Sequence, residues 1–330
     1  MNRYTILLSA PYMLPFTNRF VPILEHLGCD VVLPEVHERL SENEILAYAG
    51  QFDGTICGDD RYTSAVINQC APRLKVISKW GTGIDSIDKE AADQLGIPVF
   101  RTTNAFTVPV SDSVMAYILA FSRKQPWLDR NVKAGGWEKF PGKSLMESTL
   151  GVIGVGYIGK EVLRKAHAFN MHLLANDIIP IPPNIVSELG VEVVDLENLL
   201  KRSDFVSINC DLNPTSKHLI DSDRLAWMKT SAVIINTARG LIIDEPALIA
   251  SLKGNQIAGA ALDVFEDEPL PKDSPLLSMD QVMLAPHNSN SSPMAWEAVH
   301  WNTIRNLLIG LEIPLDKFDQ LKKEISGVTE

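Results

Sequence analysis

"GVIGVGYIG", residues 151–159, decides the fold: an apolar run, then Gly154, Gly156 and Gly159 in a GxGxxG spacing, then a helical pattern. A strand that turns on glycines into a helix opens a βαβ unit. Gly154 permits the tight turn, Gly156 lets backbone approach a pyrophosphate, and Gly159 lets helix and strand pack closely. The N–H groups at the helix start, at Tyr157 and Ile158, and the positive end of its dipole suit an anion. A bare GxGxxG is a weak signal, and three glycines in a tight turn would also produce it. Order gives it weight: the next apolar run, "HLLAND", ends in Asp177, eighteen positions beyond Gly159, where a carboxylate can accept from ribose hydroxyls. Asp177 would also repel an adenosine 2′-phosphate, and no arginine comes after it in "DIIPIPP". The expected cofactor is NAD rather than NADP.

Outward from this turn, short β-rich runs alternate with helical patterns along the chain, which predicts an α/β protein with parallel sheets. Downstream come "VEVVD", "FVSIN", "AVIIN", "IAGAALDV" and "VMLAP", apolar on both faces as a doubly covered sheet requires. Upstream, "YTILLSA", "DVVLP", "GTICG", "LKVISKWG" and "IPVFRT" predict a smaller sheet of five short strands. A long helical stretch over 108–135 reads as the crossover between the two. The amphipathic pattern "PMAWEAVHWNTIRNLLIGLE" near the C-terminal end reads as a return to the first domain. The division expected is 1–103 with 291–330, and 104–290.

Composition narrows the class. The chain has 330 residues, long enough for two domains, with 45% apolar and 22% charged residues. Its net charge of −11, from 30 Lys+Arg against 41 Asp+Glu, and the lack of a basic run argue against nucleic acid and anionic membranes. Cys29, Cys57, Cys70 and Cys210 form no CxxC pair, so neither a metal site nor a disulfide framework is expected, and a reducing cytoplasm is the simpler location. "YTILLSA" is too short for a signal segment, and the longest apolar run, "VMAYILAF", is too short to span a bilayer.

Ligands of open α/β sheets sit beyond the carboxyl ends of the strands. There the second domain collects Cys210 after "FVSIN", Arg239 in "TARG", Asp263 after "IAGAAL", and His287 in "LAPHNSN"; Glu268 stands five residues after Asp263. Singly, each has a plain structural explanation: a solvated acidic loop, a histidine on a turn, an arginine capping a turn. Together they suit carbonyl reduction, in which a hydride reaches carbon while a proton reaches oxygen. Histidine can carry that proton in both directions near neutral pH. A carboxylate such as Glu268 would orient the ring and stabilise its charged form. Arginine can hold a substrate carboxylate and polarise the neighbouring carbonyl.

With these residues in place, the sequence resembles the D-isomer-specific 2-hydroxyacid dehydrogenases, the family of phosphoglycerate, hydroxypyruvate and D-lactate dehydrogenases. The likeness covers nearly the whole chain: "KWGTGIDSID", "NAFTVPVSDSVMAYILA", "TLGVIGVGYIGKEV", "NTARGLIIDEPALIASL", "IAGAALDVFEDEPLP" and "VMLAPHNSN". It implies two Rossmann-like lobes with doubly wound parallel sheets, a discontinuous substrate-binding lobe, an NAD lobe, and catalysis in a cleft whose closure is hinged. It implies Arg239 as substrate ligand, Glu268 as partner of His287, and His287 as proton donor to the keto oxygen. The N–H groups of Thr82 and Gly83 would take the substrate carboxylate. Cys210 and the backbone of Thr237, Ala238 and Arg239 would line the cofactor, with Asp263 near the nicotinamide. The helix after Asn104 would help form a homodimer.

Departures are specific. Asp211 stands where many members carry proline, and "HNSN" is more polar than the hydrophobic residue and glycine that often come after the histidine. Glu268 disfavours the formate dehydrogenase branch, where glutamine usually replaces the acid. Lys79 sits where phosphoglycerate dehydrogenases tend to carry a basic residue facing the distal phosphate, or it is a surface charge. The second basic position reads Gly58-Asp59-Asp60, with Arg61 displaced. The C-terminal regulatory domain of some phosphoglycerate dehydrogenases is not seen, so feedback by an amino acid bound there is not expected. The resulting expectation is an NAD-dependent oxidoreductase acting on a small polar or anionic 2-hydroxy or 2-keto acid, such as 3-phosphoglycerate, hydroxypyruvate or glyoxylate. The alternative is a non-catalytic NAD(H)-responsive binding protein or corepressor on the same fold. The Asp177 reading has a direct check: kcat/KM should be clearly higher with NADH than with NADPH, and comparable values would overturn it.

Overall fold

The computed structural model describes residues 3–326. They divide into two compact units: unit 1 holds the residues up to 105 and those from 292 on, and unit 2 holds 106–291.

Unit 1 begins with β1 (Tyr4–Leu8), α1 (Thr17–His26), β2 (Cys29–Val32), α2 (Glu42–Leu46), β3 (Gly54–Cys57), α3 (Ser64–Cys70), β4 (Val76–Lys79), α4 (Lys89–Gln94) and β5 (Val99–Phe100). The five strands are parallel in the order β2-β1-β3-β4-β5. Every residue of β3 and β4 is buried, as expected for central strands covered on both faces. Leu7, Ile45, Phe52, Tyr62, Val66 and Ile77 belong to the core of one face.

In unit 2 the helical stretch read over 108–135 is two helices, α5 (Thr107–Arg123) and α6 (Gln125–Lys133). Lys124 between them is left-handed at φ 58°, and Pro126 stands in the first turn of α6. A proline lacks the N–H for an interior helical bond and its ring collides with the preceding turn, so it is favoured where a helix starts. The chain continues through β6 (Thr149–Ile153), α7 (Tyr157–Ala168), β7 (His172–Asn176), α8 (Pro183–Leu189), β8 (Glu192–Val193), α9 (Leu196–Arg202), β9 (Phe205–Ile208), α10 (Ser222–Trp227), β10 (Val233–Asn236), α11 (Glu245–Lys253), β11 (Gly259–Leu262) and β12 (Val282–Leu284). All seven strands are parallel, in the order β12-β11-β10-β9-β6-β7-β8. The order reverses at β6, so the crossovers leave β6 and β9 toward opposite faces and open a crevice at their carboxyl ends. Val152, Val162, Leu163, Ile235 and Ala261 pack with Val114 and Ile118 of α5 on one face; Ile153, Val206, Ile234 and Leu262 pack on the other.

The remaining helices, α12 (Pro293–Gly310) and α13 (Asp316–Ser326), complete unit 1. α12 lies against β4: Ser78 Oγ donates to the Thr303 carbonyl at 2.8 Å, and Trp80 Nε1 donates to His300 Nδ1 at 2.9 Å. Burial pushes His300 down from 6.5 to about 4, with Glu297 opposing and Arg19 adding to the shift. The unfolded chain therefore takes up this proton before the folded one does. The stabilisation is full above about pH 6.5 and is lost as the pH falls toward 4. His300→Gln keeps an acceptor for Trp80 and does not titrate. Its urea midpoint should fall less steeply than that of the unaltered protein between pH 6.5 and 4, and equal slopes would uncouple this histidine from acid unfolding.

Candidate active site

Strand register in unit 2 builds one rim. Asn176 pairs with Ile153, Ile153 with Ile208, Ile208 with Asn236, Asn236 with Leu262, and Leu262 with Leu284. These residues end their strands or stand at the last rung, so the residues next in the chain emerge along one edge: Asp177, Gly154, Asn209 and Cys210, Thr237 to Arg239, Asp263, and Pro286-His287. Backbone bonds carry the ladder beyond the strands, from Gly154 N to the Asn176 carbonyl at 2.9 Å, Asn209 N to Ile153 at 2.8 Å and Asp263 N to Asn236 at 3.0 Å. Arg239 and His287 come after strands two apart, a lateral offset of about 10 Å.

The glycine turn fits a pyrophosphate. Gly154 is left-handed at φ 87°, and a Cβ there would lie 2.7 Å from the Cα of Cys210; a Cβ on Gly159 would lie 2.0 Å from the Gly154 carbonyl oxygen. At Gly156 a Cβ would meet nothing within 4 Å, so the turn is open on the side a phosphate would approach. No side chain caps α7, which leaves the N–H groups of its first turn, at Tyr157 and Ile158, without a capping acceptor. Asp177 ties the turn to β7: Oδ2 accepts from Val155 N at 2.6 Å and Oδ1 from Ile179 N at 2.9 Å. A carboxylate has further lone pairs for a ribose. Asn209 Oδ1 and Thr237 Oγ1 are buried and have no hydrogen-bond partner among the described residues, which suits residues that complete their bonding on a ligand. Cys210 is no nucleophile: burial pushes its thiol up to about 11, with Asp211 and Asp177 adding to the shift against a backbone hydrogen bond.

Three side chains stand at the other end of the rim. His287 is left-handed at φ 48°, in a loop held by Asp263. The Asp263 carbonyl accepts from His287 N at 2.8 Å, and its carboxylate, 1% exposed, accepts from Asn288 N and Ser289 N at 2.8 Å each. The acid thus acts inside the protein, as the anchor of the histidine loop. Glu268 accepts from Phe265 N through Oε1 at 3.0 Å and lies 2.9 Å from His287 Nδ1 through Oε2. Arg239 extends from a turn organised by Asn236, whose amide donates to the Arg239 carbonyl at 2.9 Å and accepts from Ala238 N at 3.0 Å. The Ala238 amide is therefore already committed, and the Ala238 carbonyl accepts from Arg239 Nη1 at 2.8 Å.

Residues not singled out from the sequence hold the arginine and glutamate loops together. A Cβ on Gly240 would fall 1.9 Å from the carbonyl carbon and oxygen of Phe265, so only glycine lets the two loops touch. Glu266 N donates to Glu245 Oε2 at 3.2 Å and Glu245 N to Glu266 Oε1 at 3.1 Å, while His218 Nε2 lies 3.0 Å from Glu266 Oε1. Burial holds Glu245 above the usual carboxylate range, and the charges of Glu266 and Asp267 add to this against the Glu266 N–H. Tyr117 of α5 stands beside Asp263, where burial, and then that carboxylate, push its phenol up to about 12. Gly240 had a visible sequence signal, a lone glycine directly after the arginine. The others read as ordinary acids and core residues.

Unit 1 carries Lys79, Thr82 and Gly83 at the carboxyl edge of its own sheet. Thr82 Oγ1 donates to the Thr102 carbonyl at 2.8 Å, and Thr102 N donates to Gly81 at 2.8 Å, which clips this loop to the segment after β5. Lys79 is no surface charge: its side chain is 5% exposed, 3.0 Å from Asp59 and donating to the Trp80 carbonyl at 3.1 Å.

Residues 115–289 match the family described as D-isomer specific 2-hydroxyacid dehydrogenase, NAD binding domain. The chain is 39% identical over 287 residues to a D-3-phosphoglycerate dehydrogenase of Methanocaldococcus jannaschii, covering 86% of this chain and 54% of that protein. It is 36% identical over 297 residues to a glyoxylate reductase of Thermofilum pendens, covering 86% of each. The chain spans about half the length of the archaeal phosphoglycerate dehydrogenases it matches. Among solved structures, D-lactate dehydrogenase from Aquifex aeolicus, complexed with NAD and lactic acid, superposes with a TM-score of 0.82 at 25% identity, covering 96% of this chain and 98% of that one.

The contact at Gly240 can be tested without any substrate. Gly240→Ala forces backbone apart and should lower the stability of unit 2 by about 1–3 kcal/mol, read from urea unfolding. An unchanged midpoint would mean that the arginine and glutamate loops do not meet there.

Proposed function

The chain belongs to the D-isomer specific 2-hydroxyacid dehydrogenases, and on that premise we propose that it is an NAD-dependent oxidoreductase interconverting a small 2-hydroxy acid and its 2-keto acid. The observation that carries the reading is the 2.9 Å pair of His287 Nδ1 and Glu268 Oε2 on the rim that also bears the glycine turn.

NAD supplies the hydride acceptor or donor at nicotinamide C4. Gly154, Gly156 and the first-turn amides at Tyr157, Ile158 and Gly159 would hold its pyrophosphate and Asp177 its ribose, and Cys210, Thr237 and Ala238 would line its path, with Asp263 behind them holding the histidine loop. The loop after Asp177 has no cation over 178–183 and exposes Ile178 and Ile179, which supports NAD over a 2′-phosphorylated cofactor. Glu268, steadied by Phe265 N, holds Nδ1 of the imidazole, so that Nε2 serves the substrate oxygen. In reduction His287 gives its proton to the keto oxygen; in oxidation it takes the hydroxyl proton. Arg239 polarises the carbonyl and pairs with the substrate carboxylate, and in unit 1 the loop of Thr82 and Gly83 offers N–H groups suited to a carboxylate.

We also propose a homodimer, supported by the exposed apolar side chains Val132, Trp137, Phe140 and Met146. A reducing cytoplasm fits the four free cysteines. No helix among the described residues is long and apolar enough to cross a membrane.

A panel of 2-keto acids with NADH, followed by loss of nicotinamide absorbance, tests the activity. At least one small acid should oxidise NADH, and His287→Ala should lower kcat by about 10²–10⁴-fold with NADH affinity nearly unchanged. Close to full turnover in that variant would remove the histidine from its role. NADH binding with no oxidation by any acid would favour a non-catalytic NAD(H)-responsive protein.

A further inference from the structure

We propose that Asp59 masks Lys79 and thereby selects 2-keto acids with an uncharged tail over those carrying a distal phosphate. This rests on the oxidoreductase reading and names the substrate class within it. Lys79 closes β4 in register with Cys57 of β3, two residues before the Gly81–Gly83 loop, at the carboxyl edge where open parallel sheets take ligands. A cation there would be the natural partner of a terminal phosphate. Its charge is already engaged: Nζ lies 3.0 Å from Asp59 Oδ1 and donates to the Trp80 carbonyl at 3.1 Å. The Lys79 side chain is 5% exposed and that of Asp59 39%, so solvent and ligand meet the acid of the pair before the base.

A second acid stands behind them. Asp60 is buried, accepting from Leu40 N at 2.6 Å and from Ser9 Oγ. Burial pushes its carboxyl above the usual range, Lys79 pulls it down and Asp59 pushes it up, so the three charges sense one another. Asp59 already neutralises the lysine charge, so a phosphate dianion would have to displace that carboxylate to reach Nζ. The neighbouring walls are aromatic: Tyr12 stacks on Trp80 with ring centroids 4.6 Å apart, and Trp296 meets Trp80 edge-on at 6.2 Å. These side chains offer a phosphate no charged partner.

The test compares kcat/KM for hydroxypyruvate and 3-phosphohydroxypyruvate with NADH on the full chain. The unaltered protein should favour hydroxypyruvate by about tenfold or more, and Asp59→Asn should move the ratio toward the phosphorylated acid by about tenfold or more. Adding Lys79→Met to Asp59→Asn should cancel that gain. A ratio that does not move in folded Asp59→Asn overturns the proposal. So does an unaltered protein that prefers the phosphorylated acid, including a preference abolished by Arg61→Ala. Should Asp59→Asn not fold, the ratio in the unaltered protein still decides, together with inorganic phosphate. Phosphate should not compete with hydroxypyruvate at millimolar concentration, and competition there overturns the masking. Failure of every keto acid to oxidise NADH would instead sink the oxidoreductase reading.

Discussion

The carboxylate of Asp263 is the interaction on which the rim of unit 2 depends. It is buried at the end of β11 and satisfies the amides of Asn288 and Ser289, while its own carbonyl takes the amide of His287. Each of those amides, left unpaired, would cost about 1–3 kcal/mol. The same three bonds hold His287 in a left-handed conformation that the chain would not keep unaided. An imidazole that is to move a proton, the role proposed for His287, needs a fixed ring more than a stable loop, and here one acid gives both.

The principle recurs along the edge. Parallel strands end in loops whose backbone donors have left the ladder, and each must find an acceptor. Asp177 serves Val155 and Ile179, Glu268 serves Phe265, and Glu245 and Glu266 serve each other. Loops that would otherwise be mobile become parts of a rigid frame. Glu268 has a second oxygen to spare, and that oxygen meets His287. One oxygen of the carboxylate thus serves the backbone and the other the ring.

Much of this could be read from residues in a row. The inner strands of unit 2 were legible because strands covered on both faces need uninterrupted apolar runs, as in "FVSIN" and "AVIIN". The glycine turn was legible because no other residue type fits at Gly154 or Gly159. The break at Lys124 was harder: the apolar period runs through it, and only Pro126 signals the start of a second helix. Lys79 could be read either as a phosphate ligand or as a surface charge, and it is a buried ion-pair partner. The Gly240 contact and the Glu245–Glu266 clasp were not legible, because each joins segments some twenty residues apart whose meeting no local pattern records.

By itself the sequence determined the element order, the parallel architecture and the kinds of group standing at each strand end, since these derive from hydrophobic period, glycine sterics and chemical type. Tertiary structure alone decided how those groups are used. Asp263 turns inward to amides and Glu268 turns to an imidazole although five residues separate them, and Lys79 is matched by Asp59. A carboxylate's partner is set by distance and solvent access through space, and both exist only once strand register has brought the strand ends to one edge.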